Sequence, residues 1–124
     1  IQITGERWLI SRNMWDGIGR SAIIVYGASG CIISDNIIRN VGNGTPNLYS
    51  AIGLEAFGGN NTRRNIIHGN RIMSASANKH RYGISEASST ENFNVFHGNI
   101  ITDFGTNSIR TLGASSVSLD NLVI

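Results

Sequence analysis

Three groups of side chains in this 124-residue chain have the types and spacing to do chemistry. The first is a pair of carboxylates, Glu55 in "GLEAF" and Glu86 in "GISEAS", which stand in corresponding segments. Glycosidic-bond hydrolysis needs two carboxylates a few ångströms apart, one as acid and one as base or nucleophile. Lyase or epimerase chemistry needs a base near C5 of a uronate and a cation on its carboxylate. Arg110, on the next corresponding segment, has the charge to meet an acidic sugar or to hold a carboxylate ionised. The two copies align one residue out of phase, which leaves open that one carboxylate points inward and needs a partner such as Arg110.

The second group is Trp15 and Asp16 in "WDGIG", placed in a loop, with Tyr26 as a further aromatic. An aromatic face beside a hydrogen-bonding acid suits the apolar and hydroxylated sides of a sugar. The third is His68 and His97, each in "HGN". Stacked on adjacent coils, two imidazoles can share a proton or begin a metal site. Their column otherwise holds Ser34 and Leu119, so no third ligand completes a metal set. The catalytic candidates are therefore Glu55, Glu86 and Asp16. The substrate-binding candidates are Trp15, Tyr26, Arg110, His68 and His97. No metal and no cofactor is expected.

What positions these residues is a repeat. "GCIISDNIIRNVG" (30–42), "RNIIHGNRIMS" (64–74) and "FNVFHGNIITD" (93–103) share an apolar pair, two small or polar residues, an Asn, and another apolar pair or near-pair. "ISRNMW" and "VSLDNLVI" are weaker copies. With Asn13, Asn36, Asn70, Asn99 and Asn121 as phase markers the spacings are 23, 34, 29 and 22 residues, in the range of repeat architectures. Between them lies a second repeated run, "SAIIVYGASG", "SAIGLEAFGG", "YGISEASST" and "SIRTLGASS", with Ile23/Val25 and Ile52/Leu54 as inward pairs. No window carries the apolar spacing of a helix over three turns, so helix content is expected to be close to nil.

Strand after strand with a period near 22 residues stacks each strand on its equivalent one coil later, parallel and roughly 4.8 Å away. The Asn corner is expected to take a left-handed backbone, which Asn tolerates, and stacked Asn side chains are expected to hydrogen-bond up the column. The run "AIIVYGASGCIISDNII" (22–38) resembles the repeat of the right-handed parallel β-helix, pectate-lyase-like superfamily. The resemblance covers nearly the whole chain, with the loops after Arg39 and Ser74 as insertions. It implies an all-β, single-stranded parallel solenoid of about five coils, a single domain over 1–124. Both ends are expected to be uncapped, as in a piece of a longer helix. Within the superfamily the chain looks most like part of a phage tailspike or appendage protein, which implies a homotrimer or a longer parent chain.

Composition excludes several functions. A formal charge of +2 is too small to argue for nucleic acid, and the basic clusters Arg63-Arg64 and Lys79-His80-Arg81 fall in loops. No apolar run of 18 residues exists, so no membrane span is expected, and no signal peptide is expected within this stretch. Cys31 is alone and is read as a buried structural thiol. Two function classes remain. One is a carbohydrate-contacting β-helix of a tailspike or cell-surface protein, extracellular or on a virion, that binds a bacterial surface polysaccharide. The sequence leaves open whether it also cuts it, as a glycoside hydrolase or lyase. The other is a non-catalytic shaft or spacer of a larger adhesin. Trp8, Trp15, Tyr26, Tyr49, Phe57 and Tyr82 are more aromatics than a spacer needs. Any groove is expected along the strand bearing Glu55 and Glu86, walled by the loops 41–49 and 75–81.

Overall fold

The computed structural model describes residues 1–45, 47–74 and 80–124. Those residues form fifteen short strands and no helix. The strands lie in three parallel sheets of five, each strand pairing with its equivalent one coil away. The first sheet holds β1 (Gln2–Ile3), β4 (Ile23–Tyr26), β7 (Ile52–Glu55), β10 (Tyr82–Glu86) and β13 (Asn107–Arg110). The second holds β2 (Leu9–Ser11), β5 (Ile32–Ser34), β8 (Ile66–His68), β11 (Val95–His97) and β14 (Val117–Leu119). The third holds β3 (Met14–Asp16), β6 (Ile37–Arg39), β9 (Arg71–Met73), β12 (Ile100–Ile101) and β15 (Leu122–Val123). This is the expected parallel β-helix.

The paired isoleucines follow from strands this short. In a three-residue strand only the middle side chain points inward. Ile10, Ile33, Ile67 and Phe96 stack in register inside the second sheet, and Ile38, Ile72 and Ile101 inside the third. Ile23, Ile52 and Ile84 do the same inside the first, and all but Ile10 of these ten are fully buried. The other member of each pair faces out, giving an aliphatic column of Leu9, Ile32, Ile66, Val95 and Val117 on the second sheet. Burying one such side chain is worth about 1.5–3 kcal/mol, so the inward columns supply most of the driving force for winding.

The corners are built from amides. At the corner between the second and third sheets, Oδ1 of each Asn accepts from both the backbone N–H and the side-chain Nδ2 of the Asn one coil earlier. The chain of bonds runs Asn13 to Asn36, Asn70, Asn99 and Asn121, at 2.9–3.2 Å. Each Nδ2 from Asn36 onward also donates to a strand carbonyl of the preceding coil, for instance Asn70 to Ile33 and Asn99 to Ile67, both at 2.9 Å. The backbone differs from expectation. The left-handed residue is the one before the Asn: Arg12, Asp35, Gly69, Gly98 and Asp120, with φ of 51–63°. The preceding residue makes the turn, which leaves the Asn free to project inward and hold its ladder.

A second ladder stands at the corner between the first and second sheets. Cys31 N–H donates to Asn65 Oδ1 at 2.9 Å, and Asn65 donates from N and Nδ2 to Asn94 Oδ1 at 3.0 and 3.1 Å. It too is preceded by left-handed residues: Gly30, Arg64 and Phe93, with φ of 66°, 57° and 58°. A side chain with a Cβ costs roughly 1–2 kcal/mol in that conformation, and glycine loses part of the difference to unfolded-chain entropy. Arg64, exposed and one coil from Gly30, is thus strained for little packing. Arg64→Gly is expected to raise stability by about 0.5–1 kcal/mol, read as a higher thermal midpoint. A lower midpoint would mean that the Arg64 side chain contributes more than its backbone costs.

At the third corner the loops do line up. Gly42 N–H donates to the carbonyls of Ile18 and Arg20, Arg81 to Tyr49, and Thr106 to Arg81. Coil by coil, the segments 18–20, 42–45 with 47–49, 80–81 and 105–106 make one flank of the first sheet. Of the expected second loop, residues 75–79 lie outside the described residues.

Candidate functional site

The outer face of the first sheet gathers charged and aromatic groups. Its central column reads Gln2, Ile24, Gly53, Ser85 and Arg110 in register. Small residues in the middle leave a trough where a sheet face would otherwise carry β-branched bulk. Glu55 folds across it: a Cβ at Gly53 would sit 3.4 Å from Glu55 Oε1. Ser50 Oγ meets Ser85 Oγ at 2.6 Å beside it. On the flank of stacked loops, the Arg20 guanidinium lies 5.2 Å from the Tyr49 ring centre. The nearly buried Tyr82 ring has Arg81 at 5.1 Å and Arg110 at 5.5 Å. Cation–π contacts of this kind fix long side chains without neutralising them. Three guanidinium groups and one carboxylate therefore belong to this sheet and its flanking loops.

Tyr26 is in register with Glu55 and projects outward. Its ring stacks on Phe57 with centroids 4.5 Å apart and planes inclined by 25°. Phe57 belongs to a tight loop closed by paired backbone bonds between Phe57 and Asn60 at 3.0 and 2.9 Å. That loop sits hard on the sheet because Gly27, at φ 61°, has no side chain; a Cβ there would be 3.0 Å from the Phe57 carbonyl. Thr62 Oγ1 pins it, accepting from Gly27 N–H at 2.9 Å and donating to the Glu55 carbonyl at 2.5 Å. Beyond the rings lies a cleft of about 390 Å³ lined by Glu6, Ser29, Asn60 and Arg63 among others.

The expected stack of Glu55 on Glu86 is not formed. Glu86 pairs with Leu54, so its side chain points into the core and is fully buried, one residue out of phase with Glu55. Its partner is not Arg110. Oε2 accepts from the backbone N–H of Leu112 and Gly113 at 2.6 and 2.7 Å, and Oε1 from Asn94 Nδ2 and Ser116 Oγ at 2.9 and 2.5 Å. Those donors hold it as a structural carboxylate out of reach of any ligand.

Trp15 and Asp16 also sit elsewhere than expected. They belong to strand β3 of the third sheet, not to a loop beside the first. Trp15 stacks over Ile38 and packs on the core, because it is the middle residue of a three-residue strand. Asp16 faces out and is held by Arg39 at 3.3 Å and by Asn40 Nδ2 at 2.8 Å. His68 and His97 do stack in register, with Ser34 and Leu119 in the same column, but on the second sheet. His97 Nε2 lies 3.4 Å from Asp120. Among the described residues, no three His, Cys, Asp or Glu side chains converge. Cys31 is fully buried, and burial pushes its thiol pKa up, which keeps it protonated and inert.

Of the candidates, Glu55, Tyr26 and Arg110 meet on one face. Sequence reasoning missed Arg20, Phe57, Arg63 and Arg81 as members of that neighbourhood. The signal for Phe57 and Arg63 was weak: "FGGNNTRR" reads as a turn with solvated charge.

Fold and site define a parallel β-helix whose first sheet is charged and lined with aromatics. No protein-family model matches the sequence, and no curated protein matches it. Among solved structures, the fold is similar to the A-module of the mannuronan C-5 epimerase AlgE6 of Azotobacter vinelandii, with a TM-score of 0.87 at 23% identity. The likeness covers 96% of this chain and 32% of that one.

Proposed function

We propose that this chain is the carbohydrate-contacting part of a longer β-helix and meets an anionic polysaccharide along the outer face of its first sheet. The observation that carries this is the charge of that face and its flank, which bear Arg20, Arg81 and Arg110 against the one carboxylate Glu55, with Tyr26 in register with Glu55. Guanidinium groups pair with carboxylates in a fixed bidentate geometry, which favours uronate units. One carboxylate without a neighbour in register fits proton abstraction beside a sugar carboxylate, or plain recognition, better than two-carboxylate hydrolysis. The structural neighbour, named for an epimerase of mannuronan, supports the same substrate class. A surface polymer as ligand would suit a protein outside the cell, on a cell surface or on a phage tail. The outward column of Leu9, Ile32, Ile66, Val95 and Val117 supports lateral packing as a homotrimer.

Polymannuronate serves as the probe. Wild type is expected to bind it, and Arg110→Ala to weaken binding about tenfold by removing one charge-assisted contact. Glu55→Gln is expected to keep binding and to abolish any exchange of the C5 proton with D2O. No binding by wild type to polymannuronate or to acidic bacterial capsule polymers would leave the spacer reading in its place.

A further inference from the structure

The cleft beside Tyr26 and Phe57 differs from the trough in both charge and shape. Glu6, Ser29 and Arg63 line it as one column, joined in register by parallel bridges. Glu6 and Arg63 are thus two coils apart, about 10 Å along the axis, with the small Ser29 between them. One carboxylate and one guanidinium leave the cleft with no net charge, in contrast to the cationic trough. Across from this column stands the Tyr26–Phe57 platform, whose outer ring is 51% exposed. Asn60 lines the floor of the same loop.

A volume of about 390 Å³ falls at the lower end of small-ligand sites, enough for one or two sugar rings. An aromatic platform takes the C–H face of a pyranose, while a spaced acceptor and donor take hydroxyls on its rim. With one charge of each sign, the lining offers a uronate no net attraction, unlike the cationic first-sheet face.

We infer that this cleft is a second glycan site, separate from the Glu55 trough, and that it takes an uncharged pyranose unit. The inference rests on the reading of the chain as glycan-contacting but on an adjoining surface that shares only Tyr26, and Phe57, Glu6 and Arg110 let the two fail separately. Binding of neutral tetrasaccharides of gluco, manno and galacto configuration is measured by isothermal titration alongside mannuronate tetrasaccharide. At least one neutral tetrasaccharide is expected to bind. Phe57→Ala is expected to weaken that binding about tenfold, and Glu6→Gln to weaken it several-fold. Arg110→Ala is expected to leave it unchanged while weakening the mannuronate tetrasaccharide. Phe57 is half exposed, so a matching thermal midpoint checks that Phe57→Ala folds. Failure of all three neutral sugars to bind, or binding indifferent to both Phe57→Ala and Glu6→Gln, overturns the inference. So does a Phe57-dependent preference for the mannuronate tetrasaccharide. Neutral binding that depends on Phe57 when mannuronate does not bind at all upholds this site and removes the anionic trough.

Discussion

Glu86→Gln is expected to destabilise the fold by about 2–4 kcal/mol, because it replaces a buried carboxyl group that two backbone N–H groups, an amide and a hydroxyl all point toward. Gln offers one acceptor oxygen where the carboxylate offers two. Whichever way the amide turns, an –NH2 faces donors: the N–H groups of Leu112 and Gly113 on one side, or Asn94 Nδ2 and Ser116 Oγ on the other. Glu86 is fully buried, and a Cβ at its donor Gly113 would collide with the Glu91 carbonyl, so the donor loop is packed without a gap there. Domains are stable by only about 5–15 kcal/mol, so such a loss consumes a large part of the margin. Urea unfolding followed by circular dichroism measures it, with Glu55→Gln as the control, expected within about 0.5 kcal/mol of wild type. A Glu86→Gln midpoint equal to that of the control would mean that the carboxylate does not organise this region.

The second large effect is a gradient along the Asn ladder. Asn70 accepts two bonds from Asn36 and donates to Ile33, His68 and Asn99, all within 3.1 Å. Asn70→Ala strands the Asn36 donors and the Ile33 carbonyl in a dry interior and is expected to cost about 2–4 kcal/mol. Asn13 is exposed and donates only to Ser11 and Asn36 through its side chain, so Asn13→Ala is expected to cost below about 1 kcal/mol. Asn121 lies between, since it accepts from Asn99 and donates to Phe96 although it is only partly buried. Equal losses at Asn70 and Asn13 would contradict a load shared along the column.

Much of this was readable before any coordinates. The isoleucine pairs, the Asn spacing and the lack of helical periodicity dictate a parallel solenoid, because each is a local consequence of three-residue strands and amide corners. The candidate site was less legible, for a reason that Glu86 makes plain. A period-two side-chain pattern inverts with a one-residue shift, and the repeat "YGISE" is one residue out of phase with "SAIGLE". Register alone, not residue type, decides that Glu55 meets solvent and Glu86 the interior. The second ladder explains why an acid sits there at all. Asn94 Nδ2 needs an acceptor from the next coil, and that coil offers Ser116 instead of an Asn; the Glu86 carboxylate supplies the oxygen. Trp15 was misplaced similarly, since "MWD" is a strand whose middle residue must face in. Phe57 and Arg63 depend on how a loop seats on Gly27, a tertiary contact with no sequence period.

The amide-to-amide bonds of the corner ladder all run one way, each Oδ1 accepting from the coil before it, while the second Nδ2 hydrogen goes back to a strand carbonyl. The column is a vector. Two copies related by a twofold axis across the solenoid would point their columns at each other, donors against donors or acceptors against acceptors. End-to-end stacking with satisfied amides is therefore confined to same-sense, head-to-tail joining. Side-by-side association about an axis parallel to the solenoid carries no such penalty, because every column keeps its sense. Nor does side-by-side packing in the opposite sense, so only end-to-end joining selects for direction.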